Sequence, residues 1–402
     1  IPANEEGNAN LVGHLKNEDF FDVAKFSTAI FEITSVLKER GNELEIHFHS
    51  PEKQNKDLAY FDNADKKEQG IKMYNRKPAF QYGSSYGPEW LGQGITAPVR
   101  FHLWDKMRIK DFYLKQELPD AHKANVEAII SIESDGNYNA IIKLSDKNGN
   151  VFISEELKLT KGLKEYRFDL EIKGFDYWSL HDIGDPKMQE ITCELVYENT
   201  IDSISKKIGF RESRLHEDEQ GVHFTLNDVP IAAKGAAVLP LAFTESNVKD
   251  EAYHKLIDDV LKANINMIRV NGAGRYLKDI FYDLCDEHGI LVWQDIMLAD
   301  FDYPIDSERF RTMISAELKS QVTRLRSHPS IVIWSGNAPA ELKGNPFYTD
   351  FLRDELSKYT NEQYVASTAG LELASTASYP PMTMIETFTE FDDRYVGSYM
   401  MS

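Results

Sequence analysis

Residues 266–296 read NMIRVNGAGRYLKDIFYDLCDEHGILVWQDI. A short apolar run, Met267 to Val270 with one arginine inside it, stops at Asn271-Gly272. An amphipathic stretch then closes at Gly289, and a second apolar run opens at Ile290. The order is strand, helix with a glycine just past its end, strand. The same unit recurs on both sides. Upstream, residues 231–240 (IAAKGAAVLP) read as a strand and residues 250–264 as an amphipathic helix. Downstream, residues 307–328 form a long helical pattern with Ser307 as its N-cap, leading into residues 331–337, IVIWSGN. Repeated βα units at this spacing predict a parallel (β/α) barrel. A doubly wound sheet is the structural alternative, but no glycine-rich phosphate turn follows the first strand.

Before residue 210 the periodicity is different. Residues 108–118, 124–134, 138–146, 164–172 and 191–198 are strand-like runs separated by DGN, KNGN and similar turn clusters. That spacing predicts a sandwich of immunoglobulin type. Residues 26–34, 42–51 and 98–104 are further strand-like runs, and Leu44-Glu45-Ile46-His47-Phe48 alternates as a half-buried strand does.

Composition bounds the function. The chain has 402 residues, 42% hydrophobic and 27% charged, and a formal net charge of -20. Such a charge argues against nucleic-acid partners and anionic membrane surfaces. The short basic pairs, Lys66-Lys67 and Lys206-Lys207, read as solvated faces. No apolar run reaches the ~18 residues of a membrane span, and IPANEEGNAN at the start has neither a basic nor an apolar segment of a signal peptide. Cys193 and Cys285 fall in different predicted domains, so neither a disulfide framework nor a cysteine-based zinc site is expected. No His-Glu-x-x-His pattern occurs, and His14, His47 and His49 read as scattered surface groups, so no metal is expected.

Longer blocks carry a resemblance. They are RIKDFYL (108–114), DYWSLHDIGDP (176–186), IGFRE (208–212), FTLNDVPIAAKGAAVLP (224–240), the run from Asn264 to Asn337, and SYPPMTMIETFTEF (378–391). Together they resemble the β-mannosidases of glycoside hydrolase family 2. The resemblance implies three domains in order: a jelly-roll β-sandwich over 1–105, N-terminally incomplete; an immunoglobulin-like β-sandwich over 106–210; and a TIM-barrel glycosidase-like domain of (β/α)8 type over 211–402. The stretch from Lys234 to Ser402 is shorter than the roughly 250 residues such a barrel takes, so an incomplete barrel is expected. A second copy or a partner chain is then expected to complete it, since open strand edges invite pairing.

Retaining glycosidases use two carboxyl groups ~5–5.5 Å apart, one as acid/base and one as nucleophile, and no cofactor. In the resembling family the acid/base is the glutamate of Trp-Ser-Gly-Asn-Asn-Glu. Trp334, Ser335, Gly336 and Asn337 match that motif, whereas Ala338 replaces the second asparagine and Pro339 the glutamate. Glu341 lies two residues on, ~6.5 Å away in an extended chain, and is a fallback candidate. The nucleophile motif, anchored on Ser378-Tyr379-Pro380, places Leu373 at the catalytic position, beside Glu372; a different anchor would use Glu390. Arg269, Asp295, Trp334 and Asn337 match substrate-binding positions near the barrel mouth.

Other sugar-facing positions also depart. Residues 76–88 keep Arg76, Lys77, Gly87 and Pro88 but carry Ser84-Ser85-Tyr86 where the family has Trp-Asp-Trp. Residues 235–238 read GAAV instead of Gly-Ala-Asn-Trp, and residues 271–274 read NGAG instead of Trp-Gly-Gly-Gly. The expectation is a β-mannosidase-like protein that has lost hydrolysis and acts as a structural, storage or interaction protein. The alternatives are an active retaining exo-β-mannosidase with relocated carboxylates, and a non-catalytic binder of β-mannosides or manno-oligosaccharides. The resemblance suggests a lysosomal or secreted setting.

Overall fold

The computed structural model describes residues 74, 76–82, 95, 104–120, 123–218, 221–242, 248–299 and 302–367. It also gives the backbone course of four strands at 29–37, 41–48, 384–388 and 397–401. The first two of these, β1 (Ala29–Leu37) and β2 (Gly41–Phe48), pair antiparallel. The strand expected over 98–104 lies outside the described residues except for its last position.

Seven strands follow. They are β3 (Met107–Asp120), β4 (Lys123–Ser134), β5 (Tyr138–Asp146), β6 (Val151–Leu159), β7 (Gly162–Lys173), β8 (Gln189–Tyr197) and β9 (Asn199–Ile208). They form an antiparallel sheet ordered β3-β4-β7 and another ordered β6-β5-β8-β9. The alternate residues Val126, Ala128, Ile130 and Ile132 of β4 face Ile142, Leu144, Ile191, Cys193 and Leu195 across one core, which makes the pair a β-sandwich. Sequence patterning missed β6 and β9. Exposed residues alternate with part-buried ones along β9, and a run of exposed residues interrupts β6, so neither carries a clear apolar period.

The chain then makes a small antiparallel sheet from β10 (Ser213–Asp218), β11 (Gly221–Leu226) and β12 (Val229–Ile231). Five short strands follow, β13 (Gly235–Val238), β14 (Met267–Val270), β15 (Leu291–Asp295), β16 (Ile331–Ser335) and β17 (Gln363–Val365), each parallel to the next. Two more, β18 (Met384–Phe388) and β19 (Gly397–Met401), extend the sheet from the β13 side in antiparallel sense. The described sheet therefore differs from the uniformly parallel arrangement expected: β19 runs against the five parallel strands, and β18, antiparallel to β19, runs with them again. The connections include helices α1 (Asp250–Lys262), α2 (Asp279–His288), α3 (Glu308–Leu325) and α4 (Leu352–Ser357). Among the described residues no helix is long and apolar enough to cross a membrane.

Local chemistry accounts for these elements. Helix α1 buries Tyr253, Ile257 and Val260, one stripe at helical spacing. Helix α3 starts where Ser307 Oγ accepts from the Phe310 N–H. Helix α2 ends at Gly289, whose φ of 64° is left-handed. A side chain there would also meet Ser179 O at 2.6 Å, because the sandwich packs directly against this turn. Strands β15 and β16 are buried on both faces, as parallel strands between layers are.

Those two faces do different jobs. One packs on the helices, with Ile268, Val292 and Trp334 joining Phe281, Phe310, Leu318 and Leu352. The other, at the N-terminal ends of the strands, is filled by Phe224, Leu226 and Ile231 of the small sheet against Met267, Leu291, Trp293 and Ile333. Gln363 ties this plug down, accepting from Leu215 N at 2.5 Å and donating to Ser213 O at 2.9 Å. The sandwich is bolted to the same end. The Trp178 indole donates to Asp286 O at 2.8 Å. The buried Arg211 guanidinium donates to Pro329 O at 2.9 Å and Ile331 O at 2.6 Å and pairs with Glu362 at 3.0 Å. Nearby, Arg326 stacks over Tyr113 at 4.3 Å and pairs with Asp111. The C-terminal ends of the parallel strands are the end to which ligands go in folds of this type.

Candidate functional site

Among the twenty-one residues of β13 to β17 there is one carboxylate, Asp295, at the last position of β15. Its side chain is fully buried, and Arg269 of β14 answers it. Arg269 Nε donates to Oδ1 at 3.2 Å and Oδ2 at 2.9 Å, and Nη2 donates to Oδ2 at 2.7 Å. The Gly272 N–H adds a third donor group at 3.1 Å. A side chain at Gly272 would meet Ile296 O at 2.6 Å, so this close approach needs glycine. Burial pushes the Asp295 carboxyl above its ordinary value, and Arg269 and the Gly272 N–H oppose that rise.

Asn337 completes the group from the loop after β16. Its backbone is left-handed, with φ 52°, a conformation asparagine tolerates better than most residues. Its Oδ1 accepts from Arg269 Nη2 at 2.9 Å, and its Nδ2 donates to Leu298 O at 2.9 Å. Behind the site, the Tyr282 hydroxyl of α2 donates to Gln294 Oε1 at 2.6 Å, and Gln294 Nε2 donates to Asp295 O at 2.8 Å. The retained Gln294 thus acts as a brace between helix and strand.

Of the residues matched to substrate positions, Arg269, Asp295 and Asn337 come together. Trp334 does not join them. It is fully buried in the helix-side core with Phe347, Tyr348 and Leu352, so its role is packing rather than contact with a ligand beside Arg269. The cause is strand parity: Trp334 and Ser335 point to opposite faces, and the Ser335 hydroxyl is the one that accepts from Asn337 N, at 3.1 Å.

Past β16 the chain stays pinned. Gly336 N donates to Val365 O at 2.8 Å and Ala338 N to Ala366 O at 2.9 Å, while Ser367 Oγ donates to Ala338 O at 2.5 Å. Ala338 is buried, and Pro339 is exposed at the start of a 3-10 turn over Ala340–Leu342 that carries the exposed Glu341. Leu373, Glu372 and Glu390 lie outside the described residues, as do Ser84, Ser85 and Tyr86.

One cluster of possible metal ligands escaped the sequence reading, because its members are far apart in the chain. Asp283, Asp286 and His328 place ligand atoms within 4.8 Å of one another. Asp286 is already committed: Oδ2 bonds His328 Nδ1 at 2.6 Å, and Oδ1 accepts from Ser330 N at 3.0 Å. Burial alone would lower the His328 pKa, but Asp286, Asp283 and Asp279 reverse that and raise it. The cluster works as a buried ion pair joining α2 to the loop before β16.

Residues 107–211, which contain the β-sandwich, match the family described as Glycosyl hydrolases family 2. Beta-mannosidase B of Aspergillus fumigatus is 34% identical over 271 residues, 65% of this chain and 32% of that protein. The Aspergillus oryzae Beta-mannosidase B is 32% identical over 323 residues, 76% of this chain and 37% of that one. The crystal structure of the β-D-mannosidase from Dictyoglomus thermophilum superposes with a TM-score of 0.71 at 28% identity, covering 81% of this chain and 43% of that one. The chain belongs to glycosyl hydrolases family 2.

The fold reaches further than the sequence likeness. The exo-chitosanase CsxA of Amycolatopsis orientalis shares it at 16% identity and a TM-score of 0.55. The chain spans about a third of the length of the curated family 2 relatives it matches. Gln294 and Ser335 carry structural hydrogen bonds in this chain, and Ala338 and Pro339 carry no titratable group.

Proposed function

We propose that this chain is a β-mannosidase-like member of family 2 that keeps a glycoside-recognition face and has lost hydrolysis, serving as a structural, storage or interaction protein. The observation that carries this reading is the pinned backbone at 336–338, directly ahead of Pro339. Retaining hydrolysis needs a proton donor and a nucleophile ~5–5.5 Å apart. With Gly336 and Ala338 held in register beside β17, Glu341 stays two residues further out on an exposed turn. Asp295 is no substitute donor, because Arg269 and Gly272 occupy its oxygens.

The same reading takes the five parallel strands as part of a (β/α)8-type barrel over 211–402. It takes 106–210 as an immunoglobulin-like sandwich and 1–105 as a jelly-roll domain. The βα alternation, the plugged N-terminal end and the superposition on a β-D-mannosidase support it. Its partners are β-mannosides or manno-oligosaccharides, bound weakly.

A chromogenic β-mannoside tests the proposal. No turnover is expected; turnover abolished by Glu341→Gln or Glu390→Gln would overturn it. The likeness to two β-mannosidases B favours a second reading, an active retaining exo-β-mannosidase with relocated carboxylates. A fluorinated mannoside that labels a peptide containing Glu372 or Glu390 would establish that reading instead.

A further inference from the structure

Four segments meet on one ion pair, Arg76 with Glu317, at the C-terminal end of the sheet. Glu317, on the buried side of α3, accepts from Arg76 Nε at 2.6 Å, from Arg76 Nη2 at 3.0 Å and from the Tyr276 hydroxyl at 2.9 Å. Arg76 Nη2 also donates to Met297 O at 2.6 Å. The guanidinium lies 5.8 Å from the ring centroids of both Tyr303 and Phe310. The side chains of the pair are only 10% and 8% exposed, so it is desolvated, a regime in which breaking such a pair is expensive.

The positions of the donors matter more than their number. Tyr276 lies in the loop after β14, the strand of Arg269, and Met297 is two residues beyond Asp295. Further along the N-terminal segment, Phe80 N donates to Ala273 O at 3.1 Å. Ala273 follows Gly272, whose own N–H is bonded to Asp295. Burial opposes the charge on Arg76, and Glu317 more than reverses this, holding the guanidinium above its ordinary value. Burial raises Tyr276 well above its usual value, with the Glu317 charge adding to it, so the phenol remains a donor.

We propose that Arg76 is a positioning residue for the ligand face: through Glu317, Tyr276 and Met297 it fixes the loops after β14 and β15 against α3 and the N-terminal segment, and so sets the spacing of Arg269, Asp295 and the Gly272 N–H. This rests on reading that face as the glycoside-binding one. A pair serving only to join domains would leave the two loops unchanged once stability is restored; a positioning pair would not.

The test removes the polar hub as a unit in the full chain, with Arg76→Met, Glu317→Leu and Tyr276→Phe together. Replacing a buried ion pair by apolar groups of similar volume is close to neutral for stability, so a cooperative melt is expected. Hydrogen exchange in peptides spanning 270–277 and 295–299 should accelerate roughly tenfold, with the sandwich strands unchanged. The affinity for methyl β-D-mannopyranoside should fall by about the same factor. A folded variant whose two loops exchange at the parent rate overturns the proposal. Should the triple variant fail to fold, Arg76→Lys keeps the charge without the fork, and unchanged exchange there overturns it equally. If the parent chain binds no mannoside but the loops still loosen, the positioning role stands and the glycoside reading falls.

Discussion

Arg269 and Asp295 are joined by three hydrogen bonds of 2.7, 2.9 and 3.2 Å, and the carboxylate is fully buried. Removing the guanidinium leaves that carboxylate without a counter-charge. Arg269→Met is therefore expected to destabilise the chain by about 3–5 kcal/mol. Urea unfolding of the two proteins side by side measures this; a loss below about 1 kcal/mol would place the pair in the class of exposed ion pairs instead.

Trp334 and Asn337 lie three residues apart and should behave oppositely. Trp334→Ala opens the helix-side core and should lower stability by about 3–5 kcal/mol, with no change in mannoside affinity of the folded fraction. Asn337→Ala removes a side chain linking Arg269 to Leu298 O and should weaken mannoside binding more than it lowers the melting temperature. Titration calorimetry paired with thermal melts separates the two.

Gly289 sits in left-handed backbone against the sandwich. Gly289→Ala adds backbone strain of about 1–3 kcal/mol to a clash with Ser179 O. The expected outcome is a lower melting temperature, together with faster hydrogen exchange in residues 178–183. Exchange confined to α2 would show that the sandwich does not depend on this turn.

His328 gives a pH dependence with a definite sign. Its folded-state pKa is raised above the ordinary 6.5 by Asp286, Asp283 and Asp279 against the opposing effect of burial. The pair's stabilisation is therefore fully present below about pH 6.5 and is lost as the pH rises through the folded value. The groups facing the ring are those three carboxylates of α2 and the Tyr282 ring, 5.5 Å away. His328→Asn should flatten this part of the melting-temperature profile between mildly acidic and mildly alkaline pH. A profile identical to the parent's would assign the dependence to other groups.

Glu341→Gln is expected to change stability by less than about 0.5 kcal/mol, since the residue is exposed on a short turn. A clearly larger loss in urea unfolding would mean that Glu341 has a partner and that the turn is not its resting place.

The sequence made some of this architecture plain, and the reasons are physical. The Ser307 cap and the Gly289 terminus are local chemistry, written in single residues that do one thing. The strands from Met267, Leu291 and Ile331 stood out as apolar runs between helices. Burial on both faces, however, erased the alternation that would have told which way Trp334 points, and a motif match alone set it beside Asn337. Glu317 was invisible for the converse reason. A glutamate on a long charged helix looks solvated until a distant arginine, contributed from the N-terminal region, is brought against it. His328 and Asp286 were likewise separated by too much chain for spacing to associate them.

The hydrocarbon packed beneath the strands by Phe224, Leu226 and Ile231 gives the interior a dead end. The Arg269 guanidinium lies 5.9 Å from the ring centroid of Trp293, a member of that same cluster, so the charge that answers Asp295 rests directly on hydrocarbon.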